Sequence, residues 1–315
     1  MSRLSWVVAL AATLFLTACG QQQRPVPAAA ANPYEVLVVG DVDSLVCHML
    51  SVPMASLPQR EPMFDVRQVD SDRFKGKLLL TRNVVVVRWN RKWLGKPSLH
   101  IERDRHARPQ LIVYVDVGSA NDLKQFIATS QHRVRQLLVT NEYRSAIQQL
   151  QRKHAEQGGR LIDSMFHHTV LLPADMTYHK VGKDFLWVSN NAAQGMQNLC
   201  VYTLSGLDDQ PSERMDSVLK TNMKGETDRM YMRTVAPSMI KENVSIGGQL
   251  CQLQRGLWEM VGDAMGGPLV RRIVKDSVAG KSLVFDAFVY APEMGKRNKM
   301  REMEAVLLTV KRKQR

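Results

Sequence analysis

The stretch LLLTRNVVVVRW, residues 78–89, decides the fold class. Four consecutive valines, Val84 to Val87, leave no polar face in its centre. A β-branched run of this kind predicts a strand buried on both sides, central in its sheet. Upstream, Glu35 to Val39 (EVLVV) has the same character and is closed by Gly40-Asp41. A short helix is expected from Asp43-Ser44 to just before Pro53, and Phe64 to Val69 alternates like a half-exposed strand. Downstream, Gln110 to Val117 reads as another strand. Ser119 then caps a long amphipathic helix on which Leu123, Phe126, Ile127, Val134, Leu137 and Leu138 recur at helical spacing. The stripe continues through Ile147 and Leu150 to Gly158-Gly159, where the helix should break.

The second half repeats this grammar. Residues 185–188, 196–204, 230–235, 244–246, 250–258 and 269–274 read as strands, and Ser282 to Tyr290 is the strongest of them. Pro211 opens a helix to Leu219, and a basic amphipathic helix runs from Glu293 to about Val310. Each half is thus strand, helix, several strands and a long helix. The expected class is α+β: mostly antiparallel sheets with long packing helices, in two similar halves spanning 34–160 and 161–315.

The first eighteen residues have the parts of an export signal: Arg3, an apolar run from Leu4 to Leu16, and small residues at Thr17-Ala18. The run is too short to cross a bilayer, which takes about 20 apolar residues. Leu16-Thr17-Ala18-Cys19-Gly20 resembles the lipobox of bacterial lipoproteins. That resemblance implies a signal peptide at 1–18, acylation of Cys19, and a lipid bilayer as partner through the acyl chains; two or more chains anchor stably. Residues 19–33, rich in Gln, Pro and Ala, read as a flexible tether. No acidic run follows Cys19, which favours a membrane-anchored, periplasm-facing location in the cell envelope.

Hydrophobic content of 44% and charged content of 23% are those of a globular protein. The net charge of +13 falls to about +12 without Arg3, and is densest in Lys311-Arg312-Lys313-Gln314-Arg315. A basic surface attracts anionic glycan, lipid or protein partners. The compartment speaks against nucleic acid. Cys47, Cys200 and Cys251 are odd in number; Cys200 and Cys251 lie in strand-like runs and could pair only if those strands are neighbours, and buried thiols without a disulfide are the preferred reading.

Motifs for known chemistry are incomplete. Gly280-Lys281-Ser282 lacks the glycine of a phosphate-binding loop five residues earlier, where Lys275 stands, and reads as a hairpin turn. No G-x-G-x-x-G follows Val39-Gly40-Asp41, and neither G-x-S-x-G nor H-E-x-x-H occurs. His167-His168 would point to opposite faces of a strand, so no metal or cofactor is expected. Two segments pair aromatic with amide or acidic groups: Gly182 to Asn191 and Arg255 to Pro268. Trp187, Asn190, Asn191, Trp258 and Asp263 form the candidate ligand surface; the competing assignment is that the tryptophans pack the core and Asn190-Asn191 turn the chain. An enzyme would draw its acid and base from Asp184, Glu259 and Asp263, which requires two carboxylates about 5–9.5 Å apart for a glycosidase. Asp-Ser tripeptides at residues 43, 163, 216 and 276 resemble acceptors of Bacteroidetes O-glycosylation, and equally cap helices.

Pro33 to Val39, Gly182 to Trp187 with Ser189-Asn190-Asn191, Met196-Gln197-Asn198, Arg255 to Met260, Gly262 to Pro268 and Phe288 to Glu293 are similar to motifs of a family of Bacteroidetes lipoproteins known only as a domain of unknown function, serial 4837. The resemblance spans about Pro33 to Thr309 and implies an envelope lipoprotein without implying a reaction. The expectation is a non-enzymatic binding or structural component of the envelope; the alternatives are an enzyme acting on an envelope glycan or peptide, and an assembly partner of other envelope proteins.

Overall fold

The protein is seen in a computed structural model that describes residues 26–207, 212–277 and 280–313. The signal peptide, Cys19 and the first part of the tether lie outside them.

The first half holds β1 (Glu35–Val39), α1 (Leu45–Leu50), β2 (Asp65–Val69), β3 (Asn83–Trp89), β4 (Ser98–Arg103), β5 (Leu111–Val117) and α2 (Ala120–Arg152). Its sheet has the order β2-β1-β3-β5-β4. The valine run is central, as its composition demands. β1 pairs in parallel with β2 and β3, and β3 with β5; β4 closes the edge antiparallel. Leu78 to Leu80, read as the start of β3, instead form the end of a 3-10 turn over the sheet, and β4 was not anticipated. Both helices cover one face: Val36, Val38, Val85, Val87, Val113 and Val115 pack there with Met49, Leu123, Phe126, Val134 and Leu138. On the other face Phe74 and Leu78 cover Leu37, Val39, Val84, Val86 and Ile112. Ser119 caps α2 as expected, its hydroxyl accepting the Asp122 N–H at 3.2 Å.

The second half holds α3 (Glu156–Phe166), β6 (His168–Thr169), β7 (Tyr178–Gly182), β8 (Phe185–Ser189), β9 (Met196–Ser205), α4 (Ser212–Asn222), β10 (Tyr231–Thr234), β11 (Ile240–Ile246), β12 (Gln249–Val261), β13 (Gly266–Asp276), β14 (Lys281–Tyr290), α5 (Arg297–Leu308) and β15 (Lys311–Arg312). Seven strands run β10-β12-β13-β14-β9-β8-β7, all antiparallel, with β11 on the first part of β12. The α+β class and the prevalence of antiparallel pairing therefore hold, but all parallel pairing between these strands sits in the first half, so the halves are not copies of one unit.

Two expectations at the join are corrected. The long helix stops at Arg152, where Lys153 turns extended, and Gly158-Gly159 lie inside α3 rather than ending a helix. The reason is close packing: a Cβ on Gly158 would stand 2.6 Å from Leu172 Cδ1 and 3.2 Å from Val188 Cγ1. Gly158→Ala should accordingly cost about 1–3 kcal/mol by overpacking, despite alanine's better helix propensity, readable as a lowered denaturation midpoint. Residues 27–31 are also not a free tether. Ala30 N–H donates to Leu80 O (2.8 Å), Arg82 N–H to Ala30 O (3.0 Å) and Arg108 N–H to Pro27 O (2.8 Å), so the segment lies along the amino ends of β3 and β5.

The second sheet buries charge on both faces. Arg271 and Arg272 are adjacent on β13 and both 0% exposed. Arg271 makes a two-pronged pair with Asp286 of β14 (2.5 and 2.9 Å), whose carboxylate also accepts the Tyr202 hydroxyl (2.8 Å). Arg272 points the other way and donates to Leu307 O (2.6 Å) and Val310 O (3.3 Å), satisfying carbonyls at the C-terminus of α5. Cys200 and Cys251 face the two opposite cores of this sheet. Their strands, β9 and β12, are separated by β13 and β14, about 14 Å at the usual spacing, too far for a disulfide.

Candidate functional site

Trp258 is 3% exposed, stacks edge-on against Phe288 and donates its indole N–H to Val289 O. It is core. Trp187 is half-buried at the margin of the same core, meets Tyr178 edge-on, and donates to Asn198 Oδ1 at 3.0 Å. Asn190 and Asn191 turn the chain from β8 to β9: Asn190 Oδ1 accepts the N–H of Gln197 and of Ala192, and Asn191 has φ +47°. Asp263 caps the exposed β12–β13 turn through the Ala264 N–H. These residues do not converge on a shared opening. The carboxylates are likewise dispersed: Glu259 on β12 is paired with Arg233 at 2.6 Å, whereas Asp184 sits in the β7–β8 turn. Four strand steps, about 19 Å, separate β12 from β8, beyond the reach of a two-carboxylate mechanism.

The crevice where open parallel sheets usually bind ligands, between the carboxyl ends of β1 and β3, is filled by the protein itself. Asp41 is 4% exposed and accepts the Cys47 N–H of α1 at 2.9 Å, and the Trp89 indole donates to Gly40 O at 2.9 Å. A carboxylate of the chain thus stands where a phosphate would bind a helix N-terminus. Burial and the neighbouring Asp41 carboxylate push the Cys47 thiol up to about 12, which keeps it protonated.

Between the halves lies a buried ionic core. Glu304 of α5 accepts from Arg301 (2.8 Å), from Arg255 of β12 (3.0 Å) and from the Tyr143 hydroxyl of α2. Burial raises the Glu304 pKa, but Arg301 and Arg255 outweigh it and hold the carboxyl below its ordinary range. The space beside it, lined by Tyr143, Arg255, Glu304 and Leu307 among others, is about 20 Å³, room for roughly one water. Glu61 reinforces the join by accepting the N–H groups of Lys296 (2.7 Å) and Arg297 (3.0 Å) at the start of α5, and Arg297 pairs with Asp65 at 2.5 Å. This set holds the halves together, and the space it encloses is too small for a ligand.

Two open hollows, about 540 Å³ beside Glu35, Phe64 and Arg67 and about 300 Å³ beside Gln149, Lys153 and Asp175, lie elsewhere on the surface. The densest cluster of cations and rings is on the half of the first sheet that no helix covers. Cross-strand partners share a face, so Arg88 of β3, Tyr114 and Asp116 of β5, and Ser98, His100 and Glu102 of β4 stand side by side. Arg88 grips Asp116 through Nε (2.6 Å) and Nη2 (2.8 Å). Its guanidinium lies 4.8 Å from the Tyr114 ring and 5.5 Å from the Trp93 ring. His100 stacks on Tyr114 at 4.6 Å, and Lys92 lies 4.8 Å from Trp93. Two cations and three rings therefore stand in a row, Lys92, Trp93, Arg88, Tyr114, His100. The side chains of Arg88 and His100 are 40% and 43% exposed, and Leu94 beside them is 62% exposed. Arg91, Lys92 and Lys96 are exposed on the same loop. Desolvation tends to raise the Asp116 pKa, but Arg88 and His100 overcome it and hold that carboxyl below its ordinary range.

The comparisons bear on the two halves separately. Residues 156–309 match the family described as "Domain of unknown function (DUF4837)". Residues 29–151 match another, "Domain of unknown function (DUF8532)". The similarity to serial 4837 is thus located in the second half, and the motif at Pro33 to Val39 falls in the segment matched by the other family. No curated protein matches. Among solved structures, the chain is similar to the Saccharomyces cerevisiae Ran-binding protein Mog1p, at 10% identity over 47% of this chain and 90% of that one, with a TM-score of 0.31. A structure of a Mog1 point mutant aligns with 10% identity over 46% of this chain and 90% of that one, with a TM-score of 0.29. No helix among the described residues is long and apolar enough to cross a membrane.

Proposed function

We propose that this chain is a membrane-tethered, non-enzymatic binding component of the bacterial cell envelope, and that it binds through the uncovered half of its first sheet. The single observation that carries the binding reading is that bare face. Parallel sheets are ordinarily covered on both sides. Here helices cover one side, short turns cover part of the other, and the remainder presents an ordered row of cations and rings. The tethering reading rests on Leu16 to Gly20. With residues 27–31 held against the sheet, only 20–26 remain to span from Cys19, at most about 25 Å. The anchored chain would stand close to its bilayer.

The anchor is tested with an alkyne fatty acid fed to cells making the full chain. The wild type should take up label and fractionate with membranes, and Cys19→Ala should lose both. Label retained by Cys19→Ala would overturn the anchor. Cross-linking of Lys92→Cys in envelopes tests the face separately: products at this position, absent at Lys241→Cys on β11, are expected.

A further inference from the structure

Deepening the binding reading just given, we propose that the row Lys92–Trp93–Arg88–Tyr114–His100 is a site for a linear glycan that carries a negative charge on every one or two sugar residues. The row runs across three strands and is longer than a single small anion needs. Its two cations are held apart by a ring: Arg88 lies 5.5 Å and Lys92 4.8 Å from the Trp93 centroid, while Tyr114, 4.8 Å from Arg88, and His100 extend the row on the other side. With Arg91 and Lys96 exposed on the same loop, the positive centres are spaced out, matched to an extended polymer with spaced charges. Arg88 is fixed by Asp116 through Nε and Nη2, which leaves Nη1 to meet a carboxylate or phosphate. Ser98, Glu102 and Tyr114 supply hydroxyl and carboxylate groups for sugar hydroxyls.

The row also disfavours the other occupants. Protein interfaces also favour Trp, Tyr and Arg, but their cores are depleted in lysine and acidic residues, and here Lys92, Asp116 and Glu102 stand among the rings. The chain's own bilayer is disfavoured by polarity. Residues 27–31 approach the sheet at the amino ends of β3 and β5, just before Asn83 and Leu111, and the row lies towards the carboxyl ends, at Arg88 and Asp116. In the basic C-terminal segment Lys313 is paired with Asp163 (2.6 Å) and Arg312 with Asp276 (3.2 Å), which occupies part of its charge.

The test is calorimetric titration of the purified chain with polygalacturonate and hyaluronate oligomers, with dextran as neutral control and vesicles of phosphatidylethanolamine and phosphatidylglycerol as the lipid arm. Lys92→Gln/His100→Gln should weaken binding of at least one anionic oligomer about tenfold, as expected for one lost charge contact and one lost ring at the end of the row. Lys241→Gln/Lys281→Gln, which removes exposed charge from the second sheet, should change it less than about twofold. Equal losses in both double variants, or binding of vesicles but not of oligomers, would overturn the proposal. So would binding of neither. In that last case cross-linking at residue 92 in envelopes still reports whether the face binds something else, so the site and its ligand class fail separately.

Discussion

Glu304→Ala is expected to lower stability by about 3–5 kcal/mol, the cost of leaving buried charge unpaired. Glu304 is 4% exposed and is the shared acceptor for Arg301, Arg255 and Tyr143. Its removal strands the Arg301 guanidinium and the Tyr143 phenol between the halves, where a 20 Å³ space admits too little water to solvate them, while Arg255 keeps Glu242 at 3.3 Å. The loss should appear as a lowered urea midpoint, with the transition splitting in two as α5 and α2 uncouple. Glu304→Gln gives the pH signature. The folded-state carboxyl is held below its unfolded value, near about 4.3. Its stabilisation is therefore fully present above that value and is lost as pH falls through the folded pKa. Glu142 has the opposite sign: burial raises it, with Arg82 only partly offsetting. The difference between wild type and Glu304→Gln cancels the Glu142 contribution, and should shrink below about pH 4.3. A difference that grows as pH falls would mean that Glu304 is protonated in the fold, and one that does not change would mean that its pKa is the same folded and unfolded.

A comparable loss is expected at the other buried pair, with a different response to double replacement. Arg271→Met leaves Asp286 charged at 0% exposure with only the Tyr202 hydroxyl beside it, and should cost about 3–5 kcal/mol. Arg271→Met/Asp286→Leu removes both charges into a core already lined by Leu269, Ile273, Val284 and Phe288. It should recover most of the loss, because an apolar pair of similar volume commonly matches or exceeds a buried ion pair. Equilibrium unfolding of the three variants gives the coupling energy directly. A double variant as unstable as the single one would show that Asp286 matters mainly through Tyr202.

The elements with a strong local signal were legible: the valine run, β14 and the capped start of α2 fall where their residues put them. Strand direction was not. β3 and β14 are both continuous apolar runs, and nothing local in either distinguishes a parallel from an antiparallel neighbour. Gly158-Gly159 looked like a stop because the contact that demands glycine, Leu172, lies outside the helix. Core was the preferred reading of Trp258 over ligand surface, and Phe288 and Val289 close over it. The uncovered face was missed although one signal was present. Arg88-Trp-Asn-Arg-Lys-Trp93 interleaves basic and aromatic residues, and Tyr114 and Asp116 interrupt an otherwise apolar β5 on one face. Those observations join only once β4, which carries His100, is known to lie beside β5.

Hydroxyl-radical footprinting of the full chain, compared between intact cell envelopes and purified protein, tests the central claim most directly. The account predicts that Trp93, His100 and Tyr114 become protected in envelopes while Tyr178, 42% exposed on the β7 edge, does not. Protection of Tyr178 with unchanged labelling of Trp93 and His100 would contradict it, and would move the working surface to the outer strand of the second sheet.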